Sequence, residues 1–348
     1  MTLFFDLRTS LILVNIYEKI IPAEIDKESS KVSPRLFAEY VEDLIEEIED
    51  LNQGAKVNHV KIDIILYADD ILLISSSVEG LNKMFETTGK FGVKWEIKFD
   101  PKKTVYMGFG LVNNLFAIIK PTFDGMEVQR VKSAKYLGVL INEKISNSDH
   151  VNNRRTITLS SVNKLKRSVI SSKLLSLKIK VFCYKTYCRS TLHYGLEPIA
   201  LNKKEMAALQ TTESTIVKNL VGLGKRCKSS ELLYAPDLEK SEERLNLLKC
   251  NFLKRLSKKQ FTASLISIIN EFYATSIKKN SKKSFLYEIK IITKNISFNR
   301  LSEDCNIKIV EILAKKQKMR GDVTVIAIRA EMEKANSDKK LYELTKIA

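Results

Sequence analysis

The chain is poor in the residues that punctuate a fold, with 12 glycines and 6 prolines in 348 residues. Their scarcity past about Arg226 argues against a β domain there, because many short strands need many turns, and points to helices. Five cysteines, Cys183, Cys188, Cys227, Cys250 and Cys305, form no Cys-x-x-Cys pair, and the three histidines are scattered. That excludes a zinc knuckle and fits reduced thiols in the cytoplasm or nucleus, inside the cell. No apolar run reaches membrane-spanning length, so no membrane partner is expected. Leu11 to Ile16 is too short for a secretory leader and follows Asp6 and Arg8, so secretion is not expected. Neither an internal repeat nor a low-complexity tract is present.

What the chain has is basic charge, unevenly placed. A length of 348 exceeds the usual single-core size, so two or three domains are expected. The formal net charge is +17, yet residues 1–100 hold 11 Lys+Arg against 19 Asp+Glu, leaving +25 for the remainder. A basic surface of that size suits phosphate backbones, which it would bind through counterion release with strong salt dependence. Arg154, Arg155, Lys164, Lys166 and Arg167 share one helical stretch whose apolar positions Leu159, Val162, Leu165 and Val169 would face a core. Lys249, Lys254, Arg255, Lys258 and Lys259 decorate another, with Leu245, Leu248, Phe252 and Leu256 inside. A solvated lysine-rich face is the plainer reading of any one such stretch; the sum over the chain favours nucleic acid. The lysine cluster Lys278–Lys283 reads as a linker.

The negative charge of the first hundred residues concentrates where it could do chemistry. Tyr67-Ala68-Asp69-Asp70 separates two apolar β-type runs, Val60 to Leu66 and Ile71 to Ile74, so a hairpin of two short buried strands would carry adjacent carboxylates at its tip. Carboxylate oxygens are the ligands Mg²⁺ prefers, and a two-metal site can activate a 3′-hydroxyl while stabilising a leaving pyrophosphate. Adjacent residues of an extended chain point to opposite faces, so one Asp, Asp69, is expected to be the nearer ligand and Asp70 its support. A solvated turn is the alternative, since Asp is common in turns.

Helices and strands flank that hairpin. Ser33 and Pro34 read as an N-cap and first helical residue, followed by Phe37, Tyr40 or Val41, Leu44, Ile48 and Leu51 at helical spacing, with an acidic outer face exposed to solvent. Ser77 can cap a second helix burying Leu81, Met84, Phe85 and Phe91. Trp95 to Phe99 alternates as a half-buried strand should. The fold class expected is α+β, an antiparallel sheet with packed helices.

In this order the residues resemble the reverse transcriptases of non-LTR retrotransposons. Asn15-Ile16-Tyr17-Glu18 and Ser33-Pro34-Arg35-Leu36-Phe37 resemble the segments before the palm helix. Tyr67-Ala68-Asp69-Asp70 resembles the catalytic motif, and Gly92 with Asp100-Pro101-Lys102-Lys103-Thr104 the motif after it. Tyr136-Leu137-Gly138 resembles the primer-grip turn. Leu192-His193-Tyr194-Gly195-Leu196-Glu197 and Leu201 to Gly222 resemble the thumb and connection. The resemblance spans about two thirds of the chain.

It implies a partial polymerase palm over residues 1–125, a primer-grip turn and helical thumb over 126–225, and a basic helical region over 226–348. It further implies RNA-directed DNA polymerisation with Mg²⁺ or Mn²⁺ held by Asp69, Asp70 and Asp6, and Lys103 set to neutralise the leaving pyrophosphate. An RNA template, a DNA primer or RNA–DNA duplex, and deoxynucleoside triphosphates would be the partners. Three departures set a limit. Asp6 lies only 64 positions before Asp70, the Arg-Gln-Gly stretch of the family is replaced by Lys27 to Ser33, and a fingers subdomain is not expected ahead of the palm. Impaired autonomous activity is therefore the expectation, and a non-catalytic nucleic-acid-binding remnant, or a poorly stable decayed fragment, is the alternative.

Overall fold

In a computed structural model the described residues are 12–19, 39, 41–57, 60–68, 70–109, 120–167, 175–223, 232–275, 284–294 and 301–334. The expectations at Asp6, Ser33–Phe37, Asp69, Val169 and Lys278–Lys283 lie outside them. The chain divides into two compact units, Leu3–Ser146 and Asn147–Ala348.

The first unit is built on a mixed sheet. Its elements are β1 (Ile12–Lys19), α1 (Glu42–Asp50), β2 (Ala55–Val57), β3 (Val60–Ile62), β4 (Ile64–Tyr67), β5 (Asp70–Ser75) and α2 (Val78–Lys94). After these come β6 (Lys98–Phe99), β7 (Val105–Gly108), β8 (Thr122–Phe123), β9 (Met126–Glu127), β10 (Gln129–Arg130), β11 (Ser133–Tyr136) and β12 (Val139–Asn142). The main sheet runs β10-β7-β1-β5-β4, with β6 also pairing β1; all its pairs are antiparallel except β10 with β7. Ile12–Lys19, which its apolar pattern alone does not single out, is thus the central strand.

Position in the sheet decides burial. Flanked by β1 and β4, β5 buries Ile71, Leu72, Leu73 and Ile74, whereas edge strand β4 leaves Ile64, Ile65 and Leu66 half-buried. Only the second arm of the expected hairpin is therefore fully enclosed, and the first is broken at buried Asp63 into β3 and β4. The Ser77 hydroxyl accepts from the Gly80 amide at 3.0 Å and caps α2. That helix lays Leu81, Met84, Phe85 and Phe91 against Leu44 and Ile48 of α1, Ile71 and Leu73 of β5, and Phe123. Each such side chain contributes about 2 kcal/mol by leaving water. The acids of α1 face outward. Trp95 to Phe99 keeps the expected alternation of exposure, but only Lys98 and Phe99 pair as a strand, because Trp95 ends α2 and Glu96 takes φ 57°.

The second unit is helical: α3 (Ser148–Leu165), α4 (Leu177–Cys183), a π-helical turn (Tyr184–Cys188), α5 (Arg189–His193), α6 (Lys203–Val221), α7 (Ser241–Ser257), α8 (Gln260–Thr275), α9 (Phe285–Thr293) and α10 (Leu301–Arg320), then a helix over 323–334. Asn202 and Glu205 close a capping box at one end of α6, and Gly222 at φ 81° ends it, as its Cβ-free backbone permits. Val181, Tyr184, Ile216, Leu220, Leu233 and Met332 pack one core; Val151, Leu192, Leu196, Leu209 and Leu245 pack a second. The mixed periodicity past Lys283 resolves as helix: Ile312 is buried while Ile307, Val310 and Leu313 stay exposed.

Charge lies inside this unit. Arg189 Nε donates to Glu213 Oε1 at 2.6 Å and its Nη1 to Glu239 Oε1 at 2.9 Å, all three side chains being buried. Ser241 and Tyr184 also donate to Glu213, the latter at 3.1 Å. Burial pushes the Glu239 carboxyl up, but Arg189 and Lys316 outweigh it and hold it at about 2. Burial holds the His193 imidazole at about 4, below its ordinary value.

Candidate metal and nucleic-acid site

The hairpin tip is the tightest the sheet allows. Tyr67 pairs with Asp70, and between them Ala68 adopts φ 52°. Left-handed backbone in the first turn position is what a two-residue hairpin needs to match strand twist. Asp70 opens β5 half-buried, and the pleat places it on the same face as Leu72 and Ile74, opposite the face that packs on α2. On the other side of β5 the register sets Tyr17 of β1 across from Asp70. The strand position beside Asp70 thus belongs to Tyr17.

A second hairpin approaches Asp70 from later in the chain. Tyr136 pairs with Val139 across Leu137 and Gly138, at φ 46° and 78°, so the Tyr136-Leu137-Gly138 segment is itself a tight turn. The Tyr136 ring is buried, and its hydroxyl meets no hydrogen-bond partner. Burial, with the Asp70 carboxylate close enough to add its charge, pushes this phenol up to about 12. Tyr136 is therefore a neutral donor beside an acid, which no local sequence signal could have shown.

Lys103 sits on an exposed turn, 3.7 Å from the Asp100 carboxylate. Asp100 fastens that turn by accepting from the Lys102 amide at 3.1 Å, while buried Thr104 donates to the Asp100 carbonyl at 2.9 Å. Among the described residues no group of three or more His, Cys, Asp or Glu side chains could hold a metal ion. Asp70 is a hard oxygen donor suited to Mg²⁺ or Mn²⁺, and the orphaned phenol of Tyr136 beside it is a polar group that a hydrated cation could satisfy.

In the second unit the basic residues do not behave as one face. The inward positions of α3 are Val151, Arg154, Thr158 and Val162, not Leu159, which is 42% exposed. Arg154 is buried, with its guanidinium 5.0 Å from the centroid of the Tyr194 ring, because an aromatic face supplies what water would otherwise provide. Arg155 donates to Thr212 Oγ1 of α6 at 2.8 Å. Lys164 and Arg167 are exposed and Lys166 is half-buried. Lys249 is fully buried, bonded to the Ile199 carbonyl and to Glu288 Oε2, the latter at 2.5 Å, so it cannot decorate α7. Two of the expected surface cations are thus structural.

The family described as reverse transcriptase (RNA-dependent DNA polymerase) matches residues 30–141, which takes in α1, both hairpins and α2. A curated protein, "RNA-directed DNA polymerase from mobile element jockey" of Drosophila melanogaster, is 20% identical over 276 residues. Both matches make the chain similar to the non-LTR retrotransposon reverse transcriptases. That match covers 75% of this chain but 29% of the jockey polymerase, so the chain spans less than a third of its relative's length. The matched stretch ends inside β12, near the close of the first unit, and its antiparallel strands and packed helices are consistent with a reverse-transcriptase palm. Reverse-transcriptase domains work with divalent cations. No helix among the described residues is long and apolar enough to cross a membrane.

Proposed function

We propose that the first unit is the palm of an RNA-directed DNA polymerase, with Asp69 and Asp70 holding its divalent cation, Mg²⁺ or Mn²⁺. The observation that supports this most is the pairing of Tyr67 with Asp70, which sets Asp70 at the start of buried strand β5, between β1 and β4. Bound there, the cation would supply charge for a 3′-hydroxyl nucleophile and for the departing pyrophosphate. Asp70 orients its carboxylate from a strand that burial makes rigid, Tyr136 closes one side of it, and Lys103 offers a cation from a turn braced by Asp100. An RNA template, a DNA primer and deoxynucleoside triphosphates are the substrates on this reading. Lys164, Lys166, Arg167 and Arg155 remain the proposed phosphate contacts; buried Arg154 does not.

Primer extension on an RNA template with Mg²⁺ or Mn²⁺ tests the proposal. Product that disappears in an Asp69→Ala, Asp70→Ala variant supports it, and extension indistinguishable from that variant refutes it.

A second reading, a nucleic-acid-binding protein without catalysis, is favoured by the exposed cations Lys164 and Arg167 of the basic second unit. It expects RNA–DNA duplex binding that weakens steeply with salt and ignores the same two substitutions.

A further inference from the structure

Helix α10 runs antiparallel to α7 and to the segment just before it, held by a ladder of ion pairs. Arg320 bonds Asp237 at 2.6 and 2.7 Å, Lys316 reaches Glu239 at 3.0 Å, and Lys315 reaches Glu243 at 2.6 Å. As the partners advance from residue 237 to 243, those on α10 recede from 320 to 315. Continued along both helices, the same register brings Cys250 to Cys305, and the two thiols are hydrogen-bonded to each other. Both are buried, and both are free thiols.

We propose that Cys250 and Cys305 form an oxidisable dithiol, which a peroxide converts to a disulfide that fastens α10 to α7. Neither the lineage nor the palm site calls for this pair, and it stands independently of them. The chemistry follows from unequal thiols. The hydrogen bond from Cys305 lowers the Cys250 thiol, burial opposes that, and Lys308 and Lys249 lower it further. The same hydrogen bond and burial push Cys305 up. Lys308 and Lys249 lie near Cys250 and Asp304 lies near Cys305, so on this proposal Cys250 is the nucleophile and Cys305 the resolving partner.

The Cys250 thiolate attacks one oxygen of hydrogen peroxide, the O–O bond breaks, and the departing hydroxide takes a proton to leave as water. Cys305 sulfur then attacks the sulfenic sulfur, the S–O bond breaks, and the hydroxide leaves with the Cys305 proton as a second water. Two thiols lose two electrons in total, and peroxide gains them. Both sulfurs are enclosed, so the oxidant must be small and neutral and reach them through local opening of the helices. The closed loop, 55 residues from Cys250 to Cys305, is long enough for the bond to restrict the unfolded chain strongly.

The test is to treat the full chain with hydrogen peroxide, block remaining thiols under denaturing conditions, digest, and map cross-linked peptides by mass spectrometry. The expected result is a Cys250–Cys305 peptide, 2 Da lighter than its reduced pair by loss of two hydrogens. It should be reversed by dithiothreitol and exceed any pair involving Cys183, Cys188 or Cys227 at least roughly tenfold, as a preformed contact favours it. The oxidised chain should also melt roughly 5 °C or more above the reduced one. In Cys305→Ser a dimedone adduct should accumulate on Cys250, whereas Cys250→Ser should give none on Cys305. Unmodified thiols at both positions, equal cross-linking among all pairs, or dimedone labelling confined to Cys305 would overturn the proposal. The wild-type cross-link map decides it even where a serine variant fails to fold.

Discussion

The two units bury their interiors by opposite means. The first closes an apolar core, Leu44, Ile48, Leu81, Met84, Phe85 and Phe91 against β5, and Asp63 is the buried charged side chain among its described residues. The second encloses Arg189, Glu213, Glu239, Lys249 and His193 among its helices. An apolar core tolerates changes of pH and loses stability in proportion to volume removed, whereas an ionic core is balanced only while each charge keeps its partner. The contrast places conditional stability in the second unit and leaves the hairpin that carries Asp70 on the less conditional one.

The largest effect should come from Arg189→Met. Removing the guanidinium leaves Glu213 and Glu239 buried without their cation, at a cost of about 3–5 kcal/mol. Hydrogen exchange followed by mass spectrometry should show lost protection across α5, α6 and α7 and unchanged protection in α2 and β5. Equal loss in both units would erase the distinction.

Acid is the next test. Glu239, held at about 2, and His193, held at about 4, both have folded values below their ordinary 4.5 and 6.5. The stability that each confers is complete above its ordinary value and is lost as pH falls through the folded one. The window runs from pH 6.5 down to about 4 for His193 and from 4.5 down to about 2 for Glu239. Each is worth roughly 3 kcal/mol. Buried Asp63 has the opposite sign, since burial raises it, and so the first unit gains rather than loses at low pH from this group. Denaturant melts at pH 7 and pH 4 should show the second unit weakening first.

A packing change sharpens the comparison from the other side. A Cβ built on Gly54 would lie 2.1 Å from Asp63 Oδ1 and 2.8 Å from the Ile62 carbonyl. Gly54→Ala should therefore cost the first unit roughly 1–3 kcal/mol, the range for overpacking, with the same loss at pH 7 and pH 5. The smallest effect expected is a gain: Ala68→Gly, at φ 52°, should relieve left-handed strain in the hairpin and stabilise the first unit by about 0.5–1 kcal/mol. A calorimetric scan of the variant beside the parent chain measures it.

Local pattern was sufficient wherever local chemistry decides. The Ser77 cap, the apolar stripe of α2 and the turn between Tyr67 and Asp70 could be read directly because each depends on a few neighbouring residues, whereas the Leu201 to Gly222 helix and the Tyr136-Leu137-Gly138 turn came only with the family resemblance. It failed where tertiary partners decide. Arg154 and Lys249 look like surface cations until Tyr194 and Glu288 are brought to them from 40 and 39 residues away. The central strand β1 was hidden because Asn15 interrupts its apolar run, while its three neighbouring strands come from later in the chain. At the candidate site the turn between Tyr67 and Asp70 was legible, but the approach of Tyr136 from 66 residues away was not.

The wide turn at Tyr184–Cys188 holds one more residue per revolution than the helices on either side. That single residue rotates everything after it by about 100°, and Arg189 is the first side chain to follow. Deleting Thr186 would restore ordinary winding and swing the guanidinium away from Glu213 toward solvent. One inserted residue, then, sets which way an arginine faces and with it the electrical neutrality of an entire helical interior.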